Sequence, residues 1–264
     1  MKCLRSLEGL NYSDYVILVV DNGSTDDSVA RIRERYPGVL LIETGQNLGF
    51  SAGNNVAIRY ALERGADYVW LLNNDTIVDP HSLSAMVEVA EANPKIGAVG
   101  SVLYEMNQKD KIQAYGGGRI HLWLGMSRHV LVPIPDDNLG YIIGASLLAR
   151  RPLMEDVGLL DDNFIMYWED ADYAFRMRAA GWKLAVAPEA RVWHKSPLAA
   201  DKKSPTLYAY SNTSAVNFFK RYASLPLVPI FIGAGLRFLK HVAQRDWQRA
   251  EAVWRGVLAG WSSG

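Results

Sequence analysis

Three short apolar runs near the start of the chain constrain its fold more than any other feature. Each is halted by a polar or glycine-rich cluster and followed by a helical pattern. Tyr15–Val20 is continuous, as in a strand buried on both faces, and stops at Asp21-Asn22-Gly23-Ser24. Asp26 or Asp27 can cap a helix that carries Val29, Ile32 and Tyr36 on one side. Val39–Glu43 leads through Gly45–Gly53 to a helix around Asn54–Arg64, and Tyr68–Leu72 stops at Asn73-Asn74-Asp75. Asp79 as N-cap and Pro80 at the first helical position start another helix, and Gly97–Leu103 reads as a fourth strand. This alternation predicts an α/β fold with a mostly parallel central sheet flanked by helices. Ligands of such sheets bind beyond the carboxyl ends of the strands, and Asp21–Ser24, Gln46–Asn55 and Asn73–Asp75 all fall there.

The later half is less regular. Tyr141–Ala149 reads as a strand, Pro152–Val157 as a short helix, Glu169–Ala180 as a helix closed by Gly181, and Lys183–Ala187 as a strand. Gly116–Gly118 and Pro133–Asn138 read as surface loops, the glycines as a flexible one. Gly49 and Gly53 would let the backbone approach a ligand closely, but their stretch matches neither the dinucleotide fingerprint nor the P-loop. That counts against a nicotinamide-dependent dehydrogenase. Cys3, the one cysteine, excludes a disulfide framework and a cysteine-based zinc site, and fits a reducing compartment.

Several side chains suit chemistry as well as structure. Asp75, just past a strand and flanked by amides, can hold an oxygen-preferring divalent cation while phosphates complete the shell; a turn explains the same residues. Asp21 can accept hydrogen bonds from a base or ribose, or simply shape a turn. Tyr167-Trp168-Glu169-Asp170-Ala171-Asp172 opens a helix with three acids where one cap would suffice. Glu169 and Asp172 share a face, whereas Asp170 projects elsewhere; an apolar wall such as Trp168 would raise a carboxyl pKa toward the range of a general base. Arg176 is placed to pair with Asp172. Of five histidines, His194 is the best metal candidate, since it ends a β-rich run as Asp75 does.

Together these segments resemble the inverting, nucleotide-sugar-dependent glycosyltransferases of family 2, of GT-A fold, and within them the bacterial rhamnosyltransferase-like branch. The matching stretches are Val19–Asp26, Asn47–Asn55, Leu71–Asp75, Tyr167–Asp172 and Trp193-His194, in the family's order. The resemblance implies that Asp21, with Asn22, contacts the nucleotide base. Gly49, Asn54 and the loop around them lie beside ribose and diphosphate, and Asn74 and Trp168 join the substrate site. Asp75 and His194 hold Mg²⁺ or Mn²⁺, Asp170 is the catalytic base, and Glu169 orients the acceptor. It further implies transfer of a sugar, rhamnose as the first candidate, from a nucleoside-diphosphate sugar to a glycan or lipid-linked acceptor during synthesis of a bacterial surface polysaccharide. The alternative is a catalytically impaired binding protein of the same fold. Asn73 and Asn74 stand where acids are common, which would weaken the cation site. The family also begins with one more strand upstream of Cys3, so the chain reads as N-terminally truncated, with an unpaired edge beside Tyr15–Val20.

Charge divides the chain in two. The 28 basic and 28 acidic residues cancel overall, arguing against general nucleic-acid binding. Resolved along the sequence, residues 202–264 carry nine bases against Asp246 and Glu251, or +7, and the remainder carries −7. The expected division is a catalytic domain over residues 1–200 and a basic, amphipathic helical region over 201–264. In the latter, residues such as Phe218, Phe219, Phe231, Leu236 and Leu239 mix with the cations, and Trp247, Trp254 and Trp261 recur every seven residues. Such a segment fits peripheral contact with the inner face of the plasma membrane by a cytoplasmic protein, or an ordinary helical subdomain packed on the body.

Overall fold

A computed structural model describes residues 1–195 and 204–262. The expected boundary between residues 200 and 201, with Lys202 and Lys203, lies outside the described residues. The elements run α1 (Lys2–Leu7), β1 (Leu18–Asp21), α2 (Ser28–Arg35), β2 (Leu40–Glu43), α3 (Gly49–Glu63), β3 (Tyr68–Leu72), β4 (Thr76–Val78), α4 (Ser82–Glu91) and β5 (Ile96–Glu105). There follow β6 (Gln108–Tyr115), β7 (Gly117–His121), β8 (Met126–His129), β9 (Tyr141–Ile142), β10 (Ser146–Arg150), α5 (Arg151–Val157), α6 (Glu169–Ala179) and β11 (Lys183–His194). Three helices close the chain: α7 (Pro205–Tyr222), α8 (Leu227–Ala243) and α9 (Trp247–Ser262).

The main sheet has the order β3-β10-β5-β11-β4, with β6 also paired to β5. Its centre is β5, an apolar run with nearly every residue buried, as a strand covered on both faces should be. The α/β class holds, but "mostly parallel" needs correction. Only β5–β11 is a parallel pairing in this sheet; β10 runs antiparallel to both β3 and β5, and β4 and β6 are antiparallel to their neighbours. β6 follows β5 through a short connection and so returns antiparallel to it.

The parallel pair β1–β2 forms a separate two-stranded sheet. Among the described residues neither β1 nor β3 pairs with a further strand on its free edge. This is why Leu18–Val20 is only half-buried, where burial on both faces was expected. The ribbon is attached through α3 instead. Ser51 and Asn55 on that helix hydrogen-bond the carbonyls of Phe164 and Leu160.

Other local expectations shift for identifiable reasons. Asp79 accepts from the amide of His81, which displaces the start of α4 to Ser82. Helix α3 begins at Gly49, so Gly53 sits inside it rather than in a loop. The Tyr141–Ala149 run splits into β9 and β10 around Gly144. Gly116–Gly118 is no flexible loop: Gly117 and Gly118 start β7, and a Cβ at Gly117 would lie 1.7 Å from the Tyr141 carbonyl oxygen. Only glycine permits that approach.

The C-terminal helices pack on the body. Phe218 and Phe219 of α7 are fully buried and join the main core. Trp254 packs on Phe231 and Phe238, while Trp247 and Trp261 remain exposed.

Candidate active site

Asp75 and His194 meet because β4 and β11 pair in antiparallel register, with His194 opposite Thr76. His194 Nε2 lies 3.3 Å from Asp75 Oδ1. The other ring nitrogen, Nδ1, contacts Gln113 Oε1 at 2.9 Å. An amide oxygen only accepts, so Nδ1 donates to Gln113, which leaves Nε2, also 3.4 Å from Asn73 Nδ2, as the ring atom turned toward Asp75. A proton or a cation between Nε2 and Oδ1 would serve both atoms. An oxygen and an imidazole nitrogen facing one point, with the ring oriented by an outer partner, suit a divalent cation such as Mn²⁺ or Mg²⁺. Among the described residues no third His, Cys, Asp or Glu completes the set, so the remaining positions would fall to ligand oxygens or water. Burial pushes the Asp75 carboxyl up, but hydrogen bonding and charge from His194 outweigh it and leave the pKa below its ordinary value. Gln113 had no sequence signal, since only the β5–β6 hairpin brings it here.

The base candidate sits on the first turn of α6. Asp170 is partly buried; its Oδ2 accepts from the Gly144 amide at 3.3 Å and Oδ1 from the Ala171 amide at 2.8 Å. Burial raises its pKa to about 6 despite these bonds. Glu169 is 6% exposed, and its Oε2 has no hydrogen-bond partner among the described residues. Burial and the neighbouring Asp170 carboxylate push it well above its ordinary range. Both adjacent carboxyls are thus held above their ordinary range, chiefly by burial.

Segment 143–145 joins the halves of the site. The Ala145 carbonyl accepts from the Asn73 amide at 3.0 Å, next to the Gly144 amide that serves Asp170. A Cβ at Gly144 would also come within 3.2 Å of the Phe50 ring on α3. The Asn73–Asp75 turn, Asp170 and the N-terminus of α3 therefore converge on one tripeptide. A glycine interrupting a β-rich run was the available clue.

The remaining predicted residues have varied placements. Asp21 is buried at the end of β1 and accepts from the Ser24 amide at 3.1 Å. Asn22 is a latch: Nδ2 donates to the Gly49 carbonyl at 2.8 Å and Oδ1 accepts from the Leu48 amide at 2.9 Å. Gly49 takes φ +82°, and its close approach is to the Ile165 carbonyl. Gly53 faces the Asn22 side chain. Asn54 donates to Phe50 O within α3, and Asn74 is exposed beside Asp75. Trp168 stacks on Phe218 and Phe219, with centroids 4.9 and 5.0 Å away, so its ring is engaged by α7. Tyr167 and Trp168 both take positive φ, 68° and 70°, a conformation costing on the order of 1–3 kcal/mol per residue. That strain sits immediately before the two acids.

The family profile described as "Glycosyl transferase family 2" matches residues 1–158. The N-acetylglucosaminyl-diphospho-decaprenol L-rhamnosyltransferase of Mycobacterium tuberculosis is 30% identical over 201 residues, covering 67% of this chain and 66% of that relative. The chain thus matches just under two thirds of the relative's length. Among solved structures, GalNAc-T7 with UDP, GalNAc and Mn²⁺ aligns over 99% of this chain and 53% of its own, with TM-score 0.68 and 13% identity. The mannosyltransferase PcManGT of Pyrobaculum calidifontis, in complex with GDP-Man and Mn²⁺, aligns over 99% and 70%, with TM-score 0.60 and 17% identity. At these identities the structural likeness speaks for the GT-A fold alone.

Proposed function

The chain belongs to glycosyl transferase family 2, and from that premise we propose that it is an inverting, metal-dependent glycosyltransferase. It moves a sugar, rhamnose first among the candidates, from a nucleoside-diphosphate sugar to a hydroxyl of a glycan or lipid-linked acceptor in cell-surface polysaccharide synthesis. The observation that carries this reading is the convergence of Asp75–His194 and Asp170 on the Gly144-Ala145 peptide units. The rhamnosyltransferase named above, whose name includes a diphospho-decaprenol-linked sugar, supports the choice of donor and acceptor class.

Asp170 takes the proton of the acceptor hydroxyl as that oxygen attacks the anomeric carbon, and a single displacement inverts the configuration. Glu169, beside Asp170, orients the acceptor. Asp75 and His194 are the residues that would hold Mg²⁺ or Mn²⁺, which when bound would supply charge neutralisation for the departing diphosphate. Asp21 and the α3 N-terminus flank the nucleotide. The test is transfer from dTDP-rhamnose to a synthetic N-acetylglucosaminyl-diphospho-polyprenol with Mn²⁺, with and without chelator. Metal-dependent formation of the inverted linkage is expected. Unchanged cellular function in an Asp170→Asn strain would favour a non-catalytic binding protein instead.

The outward face of α8 supports peripheral membrane contact. Phe231, Ile232, Leu236 and Leu239 are exposed along one side, continued by Leu225 and Leu227, with Lys240 and Arg245 exposed at the C-terminal end. An apolar face edged by cations suits the interface of an anionic bilayer, where a lipid-linked acceptor would reside. No helix among the described residues is long and apolar enough to cross a membrane.

A further inference from the structure

The segment 161–172 contains the strained Tyr167-Trp168 pair and both site acids, and its two ends are gripped by one side chain. Arg221, on α7, places Nη2 2.8 Å from Asp161 Oδ2 and Nη1 2.5 Å from Asp172 Oδ1. The planar guanidinium is suited to holding two carboxylates at once. Between the ends, α7 touches the segment repeatedly. Ser214 Oγ donates to the Met166 carbonyl at 3.0 Å, and Trp168 rests on Phe218 and Phe219. Asp172 is fully buried, and it keeps Arg176 Nε at 2.8 Å and the Tyr222 hydroxyl at 2.8 Å besides Arg221.

We propose that Arg221 is a positioning residue for the catalytic acids: it clasps segment 161–172 at both ends, holding the left-handed turn that aims Asp170 at Gly144. The inference rests on the reading of Asp170 as the base. It also assigns a catalytic duty to a helix that lies beyond the residues matched by the family profile. Two consecutive non-glycine residues at positive φ persist only where the surroundings over-determine them. With the clasp removed, the turn relaxes and the base moves off its line, while the donor side, built on β1, α3 and the Asp75 turn, stays in place. Asp172 retains two partners without Arg221, so the fold survives the substitution.

The experiment compares Arg221→Met, Arg221→Lys and Asp170→Asn with the parent chain by hydrogen exchange and by transfer from dTDP-rhamnose to the polyprenol acceptor. Arg221→Met should speed amide exchange across 161–172 by about tenfold or more, leaving β5 unchanged. It should lower kcat about 10- to 100-fold at nearly constant donor KM. Lysine, a point charge that cannot fork between two carboxylates, should recover only part of the rate. Unchanged exchange in 161–172, or an undiminished kcat in Arg221→Met, would overturn the clasp. Equal loss of protection in β5 would reduce Arg221 to a general stabiliser and would overturn it as well. An undiminished rate in Asp170→Asn would sink the base assignment independently. Should the parent chain transfer nothing, the exchange data alone decide whether the clasp exists.

Discussion

The Gly144 amide donates to Asp170 Oδ2 at 3.3 Å while the Gly144 α-carbon faces the Phe50 ring. The proposed base thus accepts from a backbone group where an added Cβ would crowd the Phe50 ring. Gly144→Ala would press on Phe50 at 3.2 Å and disturb the peptide that aims Asp170. Transfer kcat should fall about tenfold or more with little change in thermal stability. Steady-state kinetics beside a thermal melt separate the two effects.

The raised pKa of Asp170 predicts a pH profile. A base must be ionised, so kcat/KM should rise with pH, level off above about 6, and lose about 10²–10⁴-fold in Asp170→Asn. Stability runs the other way. Between its ordinary value of 3.8 and about 6 the folded state holds a proton that the unfolded chain has released. Stability therefore falls as pH rises through that window, and the full cost is present above it. Asp170→Asn should consequently melt higher than the parent at pH 8, by on the order of 2 kcal/mol, and not at pH 4.

Gln113 accepts from His194 Nδ1 on the side of the ring away from the proposed cation site. Gln113→Leu should weaken Mn²⁺ binding about 10- to 100-fold without removing a ligand. His194→Ala should weaken it further. Calorimetry with Mn²⁺ in the presence of a nucleoside diphosphate reads both.

For the α8 face, Phe231→Glu combined with Leu239→Glu places charge on two exposed apolar positions. Sedimentation with phosphatidylglycerol-rich vesicles should drop about tenfold or more if these side chains enter the interface. Equal pelleting of parent and variant would exclude the bilayer as the partner of this face.

Gly117→Ala tests packing rather than chemistry. The added carbon would fall 1.7 Å from the Tyr141 carbonyl oxygen, so β7 and β9 must part. A loss on the order of 3 kcal/mol is expected in denaturant titration.

The sequence is most legible where local pattern and tertiary role agree. The apolar run of β5, the chain breaks after β1 and β3, and the pairing of Arg176 with Asp172 all follow from spacing. What could not be read depends on long-range partners. The bonds of Asn22 to Leu48 and Gly49, and the packing of Trp168 on α7, join residues far apart in the chain and have no local signature. Gln113 and Gly144 reach the site only through strand pairing and a break between strands, which no local signal states. Asp75 and His194 could be foreseen as a pair because both end strands on the same rim. Their contact still needed the register of β4 against β11.

The two-stranded ribbon β1–β2 hydrogen-bonds to no other strand among the described residues, and a ribbon of that size is marginal by itself. Under the proposed function, a nucleotide sugar reaching from Asp21 on the ribbon to Asp75 beside the main sheet would add a second tether to the one that α3 provides. Ligand binding there would then raise the resistance of β1–β2 to local opening, since a ligand that binds only the folded ribbon stabilises it.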